Sequence, residues 1–149
     1  MMTLPVKIKK LRPDAQTPAY QTPGAAACDL CAALDEAVSV EPGARILIPT
    51  GIALDFGADS AAAALIFARS GLAARRGLAL ANGVGVIDAD YRGEIKVALI
   101  NLGAEPVTVN PGDRVAQMAF FPVSRAVFEE VGEIGGTERG AGGFGHTGV

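Results

Sequence analysis

The chain has 149 residues, the size of a single domain, and carries a formal net charge of −3 at pH 7. This balance excludes the strong basic field that would hold a nucleic-acid polymer, and no run approaches the ~20 apolar residues of a membrane span. The N-terminal segment alternates apolar and basic side chains instead of forming a secretory signal, so we expect a cytoplasmic protein.

Short apolar stretches separated by glycine, proline and aspartate recur along the chain, with little helical periodicity between them. Pro-Gly pairs at 23–24, 42–43 and 111–112 mark turns. This pattern predicts an all-β barrel or sandwich. The predicted strands are 6–11, 28–32, 45–50, 52–56, 63–67, 84–88, 94–101, 107–110, 114–121 and 126–131.

The side-chain pattern of two predicted strands indicates how they are buried. Alternation in one of them places Ile95, Val97 and Leu99 on the same face. Both faces of 114–121 are largely apolar, so that strand is buried on both sides, or buried on one side and in a subunit contact on the other. Gln117 is a polar residue within it and needs a hydrogen-bond partner.

One short helix is predicted at 72–76, after an alanine run at 61–64 that is typical of a loop leading into a strand. Ser70 is the predicted N-cap of this helix and Gly77 its left-handed stop. The free N–H groups of its first turn lie beside Arg69. Backbone, cap hydroxyl and guanidinium together therefore predict an anion site.

Cys28 and Cys31 have the spacing of a redox pair or of half a zinc site. The chain has no other cysteine, and His146 is its one histidine, so a four-ligand zinc site cannot be completed in the usual way. In an extended segment the two side chains point to opposite faces. We therefore expect small, buried thiols.

The C-terminal fifteen residues include seven glycines. Such a tail is typical of a frayed end or a linker. Yet Arg139, Phe144, His146 and Thr147 offer a cation, an aromatic face and hydrogen-bonding groups on a backbone free enough to close around a small anion. The tail fits a Walker-type loop less well than either alternative, because it has no Lys-Ser/Thr pair and no following helix. A phosphate beside an aromatic ring suggests a nucleotide ligand.

Four further segments carry chemistry. They are a carboxylate beside small residues at 27–30, the anion-binding turn at 69–73, a glycine-bearing hairpin with acids and a tyrosine at 82–95, and a turn entering a buried strand at 112–118. Together with the tail, these segments have the order and spacing of five motifs. Over roughly residues 24–148 the chain resembles the trimeric deoxyuridine triphosphate nucleotidohydrolases, or dUTPases.

The resemblance implies an all-β, distorted jelly-roll-like barrel with one short helix, assembled as a homotrimer whose C-terminal arms are exchanged and whose active sites draw on all three subunits. The core would cover 1–134, and a flexible arm at 135–149 would close over the active site. The implied reaction is Mg²⁺-assisted attack of water on the α-phosphorus of dUTP, which gives dUMP and pyrophosphate. The product would supply thymidylate synthesis, and removal of dUTP would keep uracil out of DNA.

The resemblance also implies residue roles. The catalytic residues would be Asp88, which activates the attacking water, with Gln117 and Asp29. No residue would bind the metal directly: Mg²⁺ would sit on the substrate phosphates and reach Asp29 through water. The implied substrate-binding residues are Arg69, Ser70, Gly71 and Gln117 at the phosphates; Asn82, Val86, Ile87, Asp88, Tyr91 and Lys96 at the base and sugar; and Arg139, Phe144, Gly145, His146 and Thr147 in the arm.

The chain departs from the family pattern at Ala27, where glycine is common, and at His146, where serine is common. A histidine there would make phosphate binding sensitive to pH. Several candidate residues also have purely structural interpretations. Asp88 and Asp90 would form the turn, Tyr91 would pack at the barrel rim, Gln117 would bond backbone groups, and Arg75 with Arg76 would form a solvated face. For the two helix arginines we favour the solvated face.

Two other functions compete with dUTP hydrolysis. A dCTP deaminase shares a related fold but must recognise cytosine, and a non-catalytic trimer would bind nucleotide as a sensor or scaffold. Ammonia release from dCTP would identify the first. The aspartate of the hairpin and the complete tail argue against the second.

Overall fold

The computed structural model of the protein describes residues 3–144 and residue 146. Across that part of the chain it has eleven strands and one helix. In chain order the strands are β1 (Lys7–Lys10), β2 (Cys28–Cys31), β3 (Val38–Val40), β4 (Arg45–Pro49), β5 (Ile52–Asp55), β6 (Ala62–Phe67), β7 (Leu78–Leu80), β8 (Gly85–Ile87), β9 (Lys96–Asn101), β10 (Val107–Val109) and β11 (Arg114–Pro122). The helix α1 (Ser70–Arg76) follows β6.

The strands pair in antiparallel fashion throughout. A four-stranded sheet has the order β2-β11-β6-β8, and a three-stranded sheet has the order β4-β9-β7. Two pairs, β1-β5 and β10-β3, complete the set. The prediction of an all-β protein with one short helix is therefore confirmed. No helix within residues 3–144 has the length and hydropathy that crossing a membrane requires.

The core lies between the sheets and is built from alternating residues, as period-two strands require. Ile95, Val97 and Leu99 are all buried, which confirms their predicted common face. Asn101 is the most deeply buried polar residue, and its side chain holds a turn: it donates to the carbonyls of Val40 and Glu105. Because each polar atom has a partner, its burial is tolerated.

Two predictions about strands and loops were wrong, and two short strands were missed. Residues 126–131 form no strand, and Val127 and Phe128 there are 95% and 94% exposed, since no neighbouring strand of the same chain reaches them. The alanine run is not a loop, because β6 begins at Ala62 within it. Strands β3 and β7, of three residues each, were not predicted.

The start of α1 also differs from the prediction. Arg69, not Ser70, is the N-cap, with extended backbone angles and no side-chain capping bond. Ser70 is instead the first helical residue. Gly77 is confirmed as the stop, with φ of 71° in the left-handed region. A side chain at Gly77 would also meet the backbone of Gly103.

Candidate active site

An open cavity of about 450 Å³, hereafter the arginine pocket, lies where β2 and β11 meet the start of α1. It brings together five predicted site residues from three segments of the sequence. Among the residues that the structure describes, Asp29 is the one acidic residue that lines it. The lining residues are Gln21, Ala25, Ala27, Asp29, Arg69, Ser70, Gly71, Leu72, Arg75, Arg76 and Gln117.

Asp29 is the buried anion of this pocket, with only 8% of its surface exposed. The Nε of Arg69 donates to its Oδ1 at 3.0 Å, and Nη1 of Arg114 donates to its Oδ2 at 3.1 Å. A carboxylate so far from water requires such partners. The two guanidinium groups therefore fix the orientation of the carboxylate.

Arg69 is held by two contacts and retains further donors. Besides its bond to Asp29, its Nη1 donates to the carbonyl of Arg114 at 3.2 Å. A guanidinium has five N–H groups, so several remain for a ligand. Arg69 thus lines the pocket as a fixed cation with N–H groups to offer an anion.

Gln117 lies in the middle of β11, opposite Asp29 of β2 on one side and Phe67 of β6 on the other. Its Nε2 donates to the carbonyl of Ala68 at 3.0 Å. Gln117 therefore has the backbone partner that its structural interpretation predicts. The amide also carries a second N–H and an acceptor oxygen, and Gln117 lines the arginine pocket.

The two helix arginines lie at the rim of the pocket. Both are exposed, as the solvated-face interpretation predicts. Both also line the arginine pocket, and Nη2 of Arg76 donates to the carbonyl of Thr108 at 3.3 Å. Their spacing along the sequence did not indicate this position, since it depends on how α1 packs.

The predicted base-recognition hairpin is built on β8, an edge strand that pairs on one side with β6. An edge strand presents unpaired backbone N–H and C=O groups. Val86 is 60% exposed there, whereas Ile87 is half-buried. Asn82 lies in the exposed turn before the strand. The free edge therefore offers main-chain hydrogen bonds, the kind of contact that can read the edge of a base.

Asp88 and Tyr91 follow β8 in a tight turn, in which the N–H of Tyr91 donates to the carbonyl of Asp88 at 3.2 Å. Both side chains are exposed. The Tyr91 hydroxyl donates to the carbonyl of Glu94 at 3.0 Å, and its ring lies against Gly93, where a side chain would collide with it. Lys96 opens β9 with its Nζ 3.7 Å from Oε2 of Glu94.

The described part of the tail folds back only on itself. Nε of Arg139 donates to the carbonyl of Gly142 at 2.9 Å, and the N–H of His146 donates to the carbonyl of Gly143 at 3.1 Å. The Phe144 side chain is fully exposed. Two predicted residues of this arm, Gly145 and Thr147, lie outside the described residues.

The arginine pocket is one half of the predicted site. Among the residues that the structure describes, none from the hairpin at 82–95 or from the tail lines it. The residues predicted for the phosphates therefore meet within one chain, and those predicted for the base and for closure do not join them there. Arg114 belongs to the first set by its contact with Asp29, although no pattern in the sequence indicated it.

The two cysteines do not form a metal site. Cys28 is buried and its thiol donates to the carbonyl of Met118 at 3.3 Å, whereas Cys31 is half-buried. Burial raises the pKa of both thiols, and the charge of Asp29 adds to the effect. Over residues 3–144 and 146 there is no group of three or more side chains able to hold a metal ion. The buried-thiol prediction holds for Cys28 and only in part for Cys31.

Fold and pocket define an all-β protein with a pocket that three arginines line. Comparison with known proteins identifies its family: the dUTPase family model matches residues 13–148. A deoxyuridine 5'-triphosphate nucleotidohydrolase of Desulfitobacterium hafniense is 53% identical over 100% of this chain and 99% of its own length. One of Syntrophotalea carbinolica is 49% identical over 99% of each. The chain therefore belongs to the dUTPase family.

Solved structures have the same jelly-roll-like fold. A Staphylococcus bacteriophage 80alpha dUTPase mutant with dUpNHpp matches with a TM-score of 0.86 and 23% identity, covering 99% of this chain and 100% of that one. A dUTPase mutant from phage phi11 of S. aureus matches with a TM-score of 0.78 and 20% identity, covering 87% of this chain and 98% of that one. The predicted jelly-roll-like fold is confirmed, and the homotrimer with exchanged arms stays a prediction.

Proposed function

We propose that the protein hydrolyses dUTP to dUMP and pyrophosphate, so providing dUMP for thymidylate synthesis and keeping uracil out of DNA. The observation that carries the proposal is Arg69, fixed by Asp29 on the wall of the arginine pocket with N–H groups left for an anion. Membership of the dUTPase family and the dUpNHpp bound to a structural relative support the same substrate.

The triphosphate occupies the arginine pocket in this proposal. Arg69 and the amide of Gln117 contact phosphate oxygens, and Ser70 and Gly71 contribute at the start of α1. Charge neutralisation of this kind is the main requirement of phosphoryl chemistry. In the arm, Arg139, His146, Gly145 and Thr147 are proposed to close over the terminal phosphate.

The base is proposed to pair with the free edge of β8, through the main chain of Val86 and Ile87 together with Asn82. Uracil differs from cytosine in its hydrogen-bonding edge and from thymine by a methyl group. A close-fitting strand edge rejects the first by unpaired polar groups and the second by a clash. Tyr91 is proposed to lie beneath the deoxyribose, Lys96 to line the site and Phe144 to stack on uracil.

Asp88 is proposed to accept a proton from the water that attacks the α-phosphorus. The side chain is exposed and has no hydrogen-bond partner within residues 3–144, which leaves it available to a water and to a sugar hydroxyl. Hydrolysis in ¹⁸O-labelled water is expected to label dUMP and leave pyrophosphate unlabelled; label in pyrophosphate contradicts this role.

The donor set of the pocket fits Mg²⁺ bound chiefly by its substrate. Within the described part of the chain, Asp29 is the one carboxylate lining the arginine pocket, and guanidinium groups already contact both of its oxygens. Mg²⁺ prefers substrate phosphates and water to a full protein cage. Asp29 would therefore hold the ion only through water, and the ion would neutralise phosphate charge. The phi11 relative is described with a structural Mg(II) ion.

A homotrimer with shared sites is proposed to complete the half-built site. Apolar side chains at 123–134 lie open to solvent, above all Val127, Phe128 and Ile134. Such side chains are expected to pack against another copy. In this arrangement 1–134 forms the core, and the arm at 135–149 closes a site of a neighbouring subunit. A cytoplasmic location stays a prediction.

Four nucleotides offered separately with Mg²⁺ test the proposal: dUTP, dCTP, dTTP and UTP, with pyrophosphate and ammonia both measured. We expect pyrophosphate from dUTP and little from the other three. Ammonia from dCTP would instead indicate a deaminase. Binding of dUTP without either product would indicate a non-catalytic sensor, and either result overturns the proposal.

A further inference from the structure

Arg114 contacts Asp29, a lining residue of the arginine pocket, but does not line that pocket itself. It is the first residue of β11, where the register with β2 shifts between Arg114 and Ala116. It lines a second cavity of about 450 Å³ with Cys31, Gly112 and residues of the segment 16–21. Asp29 lines both cavities, and Arg114 is not among the residues lining the first. The carboxylate therefore separates Arg114 from the ligand that Arg69 would bind.

Arg114 makes one hydrogen bond to each of two pocket residues, Asp29 and Arg69. Its Nη1 donates to Oδ2 of Asp29 at 3.1 Å, on the side opposite the bond from Arg69 to Oδ1. Its carbonyl accepts a second bond from Arg69, from Nη1 at 3.2 Å. Arg114 thus fixes two N–H groups of Arg69, one directly through its carbonyl and one indirectly through Asp29. A shift in β strand register at this point re-aims a side chain without breaking the sheet.

We propose that Arg114 is a positioning residue for the triphosphate: it fixes Asp29 with its side chain and Arg69 with its carbonyl, so that Arg69 meets the phosphates in one orientation. The proposal rests on the proposed function, because it assigns the triphosphate to Arg69. Without the Arg114 side chain, the Asp29 carboxylate keeps one guanidinium partner and can rotate. Arg69 then binds phosphate from several orientations, which lowers the affinity for triphosphate more than that for the nucleoside part.

The test compares two ligands in one variant. For Arg114→Met we expect a non-hydrolysable imido analogue of dUTP to bind about tenfold more weakly, the effect of one charge-assisted hydrogen bond from a half-exposed side chain. Binding of dUMP is expected to change by less than about twofold, since base and sugar contacts are untouched. Calorimetry measures both affinities, and the steady-state effect is expected mainly in KM.

Three further variants make the test specific. Arg114→Lys keeps the charge and is expected to recover most of the lost affinity for the analogue. Arg45→Met removes a charge from the exposed start of β4 and is expected to leave both affinities unchanged. In an Asp29→Asn background, Arg114→Met is expected to have little further effect, because its side chain acts through that carboxylate. If Arg114→Met does not fold, Arg114→Gln carries the same comparison.

Equal loss of affinity for both ligands, or no loss for either, overturns the positioning role. So does full additivity of Asp29→Asn and Arg114→Met. Failure of the proposed function has a different signature, which is no pyrophosphate from dUTP with the unaltered protein. Normal turnover by that protein together with an unchanged ratio of the two affinities counts against Arg114 alone.

Discussion

The two halves of the candidate site differ in how far one chain completes them. In the arginine pocket, Asp29, Arg69 and Gln117 are half-buried or buried, and each is held by hydrogen bonds. In the hairpin and the tail, Asp88 and Phe144 are exposed and contact neither the pocket nor each other within the described residues. A single chain therefore preforms the groups that are proposed to meet phosphate, and it leaves the groups proposed for the base, the water and closure unassembled.

The two halves therefore differ in the entropy that they lose when a ligand binds. Preformed charges lose little freedom when an anion binds, so their contacts appear fully as affinity. A glycine-rich arm loses much backbone entropy when it is ordered, which weakens net binding. If the arm is ordered only around the correct ligand, as we propose, its ordering would close the site and exclude water.

The largest loss of activity is expected on substitution of Asp88, the proposed base in the unassembled half of the site. Asp88→Asn should lower kcat by about 10² to 10⁴, because the amide keeps the shape and cannot accept the proton of water. Affinity for the imido analogue should persist. Asp90→Asn, which alters a neighbouring exposed acid, is the matched control and should retain activity. A kcat for Asp88→Asn close to that of the unaltered enzyme would exclude Asp88 as the base.

Phe144 tests whether the tail joins the site at all. Stacking of an aromatic side chain on a base contributes about 1 to 3 kcal/mol, so Phe144→Ala should weaken analogue binding by roughly 5- to 150-fold. The chain has no tryptophan, so Phe144→Trp would supply a single fluorescent reporter. Its emission should change when the analogue saturates the site. Emission that ignores saturating analogue would mean that the aromatic ring does not cover the base.

Tyr91 should have a smaller effect, on sugar choice. Tyr91→Ala should open space for a 2′-hydroxyl and narrow the preference for dUTP over UTP, measured as the ratio of the two kcat/KM values. Tyr91→Phe is the control, since it removes only the hydrogen bond to the Glu94 carbonyl and keeps the ring. If both variants keep the original ratio, the discrimination resides elsewhere.

The thiols near Asp29 should show the smallest effect, and they report on the preformed half. Burial raises the pKa of Cys28 and Cys31 in the folded protein, so the unfolded chain loses its thiol protons first as the pH rises. The free energy of unfolding should therefore fall between the ordinary thiol pKa and the raised folded one. Urea titrations at a series of alkaline pH values measure this slope; replacing both cysteines by alanine should abolish it. A slope that survives the replacement would assign it to other groups.

The sequence predicted the fold where a local pattern determines it. Alternation at Ile95, Val97 and Leu99 is such a pattern, and so is Gly77 after a short helix. The strand prediction was wrong at 126–131. These residues have the apolar composition of a strand, but they pair with no strand in the described part of this chain. A periodic pattern cannot tell whether the surface it needs belongs to the same copy or to another.

The order of the motifs predicts the residues of the candidate site, and it carries no information on the long-range contacts that hold them. Ser70 has the ideal chemistry of an N-cap, yet Arg69 takes the position, since its side chain is tied to Asp29 and to the carbonyl of Arg114. The contact between Arg114 and Asp29 spans 85 positions of the sequence. Only the pairing of β11 with β2 brings these two side chains together.

Whether the two halves meet across subunits is tested most directly by complementation. Asp88→Asn and a deletion from Gly136 onward should each be nearly inactive alone. In a co-refolded mixture, one site can combine an intact Asp88 from the deletion chain with an intact arm from the point variant, so dUTP hydrolysis should reappear above the sum of the parents. Mixed assemblies that mass spectrometry verifies and that stay as inactive as the parents would contradict a site shared between subunits.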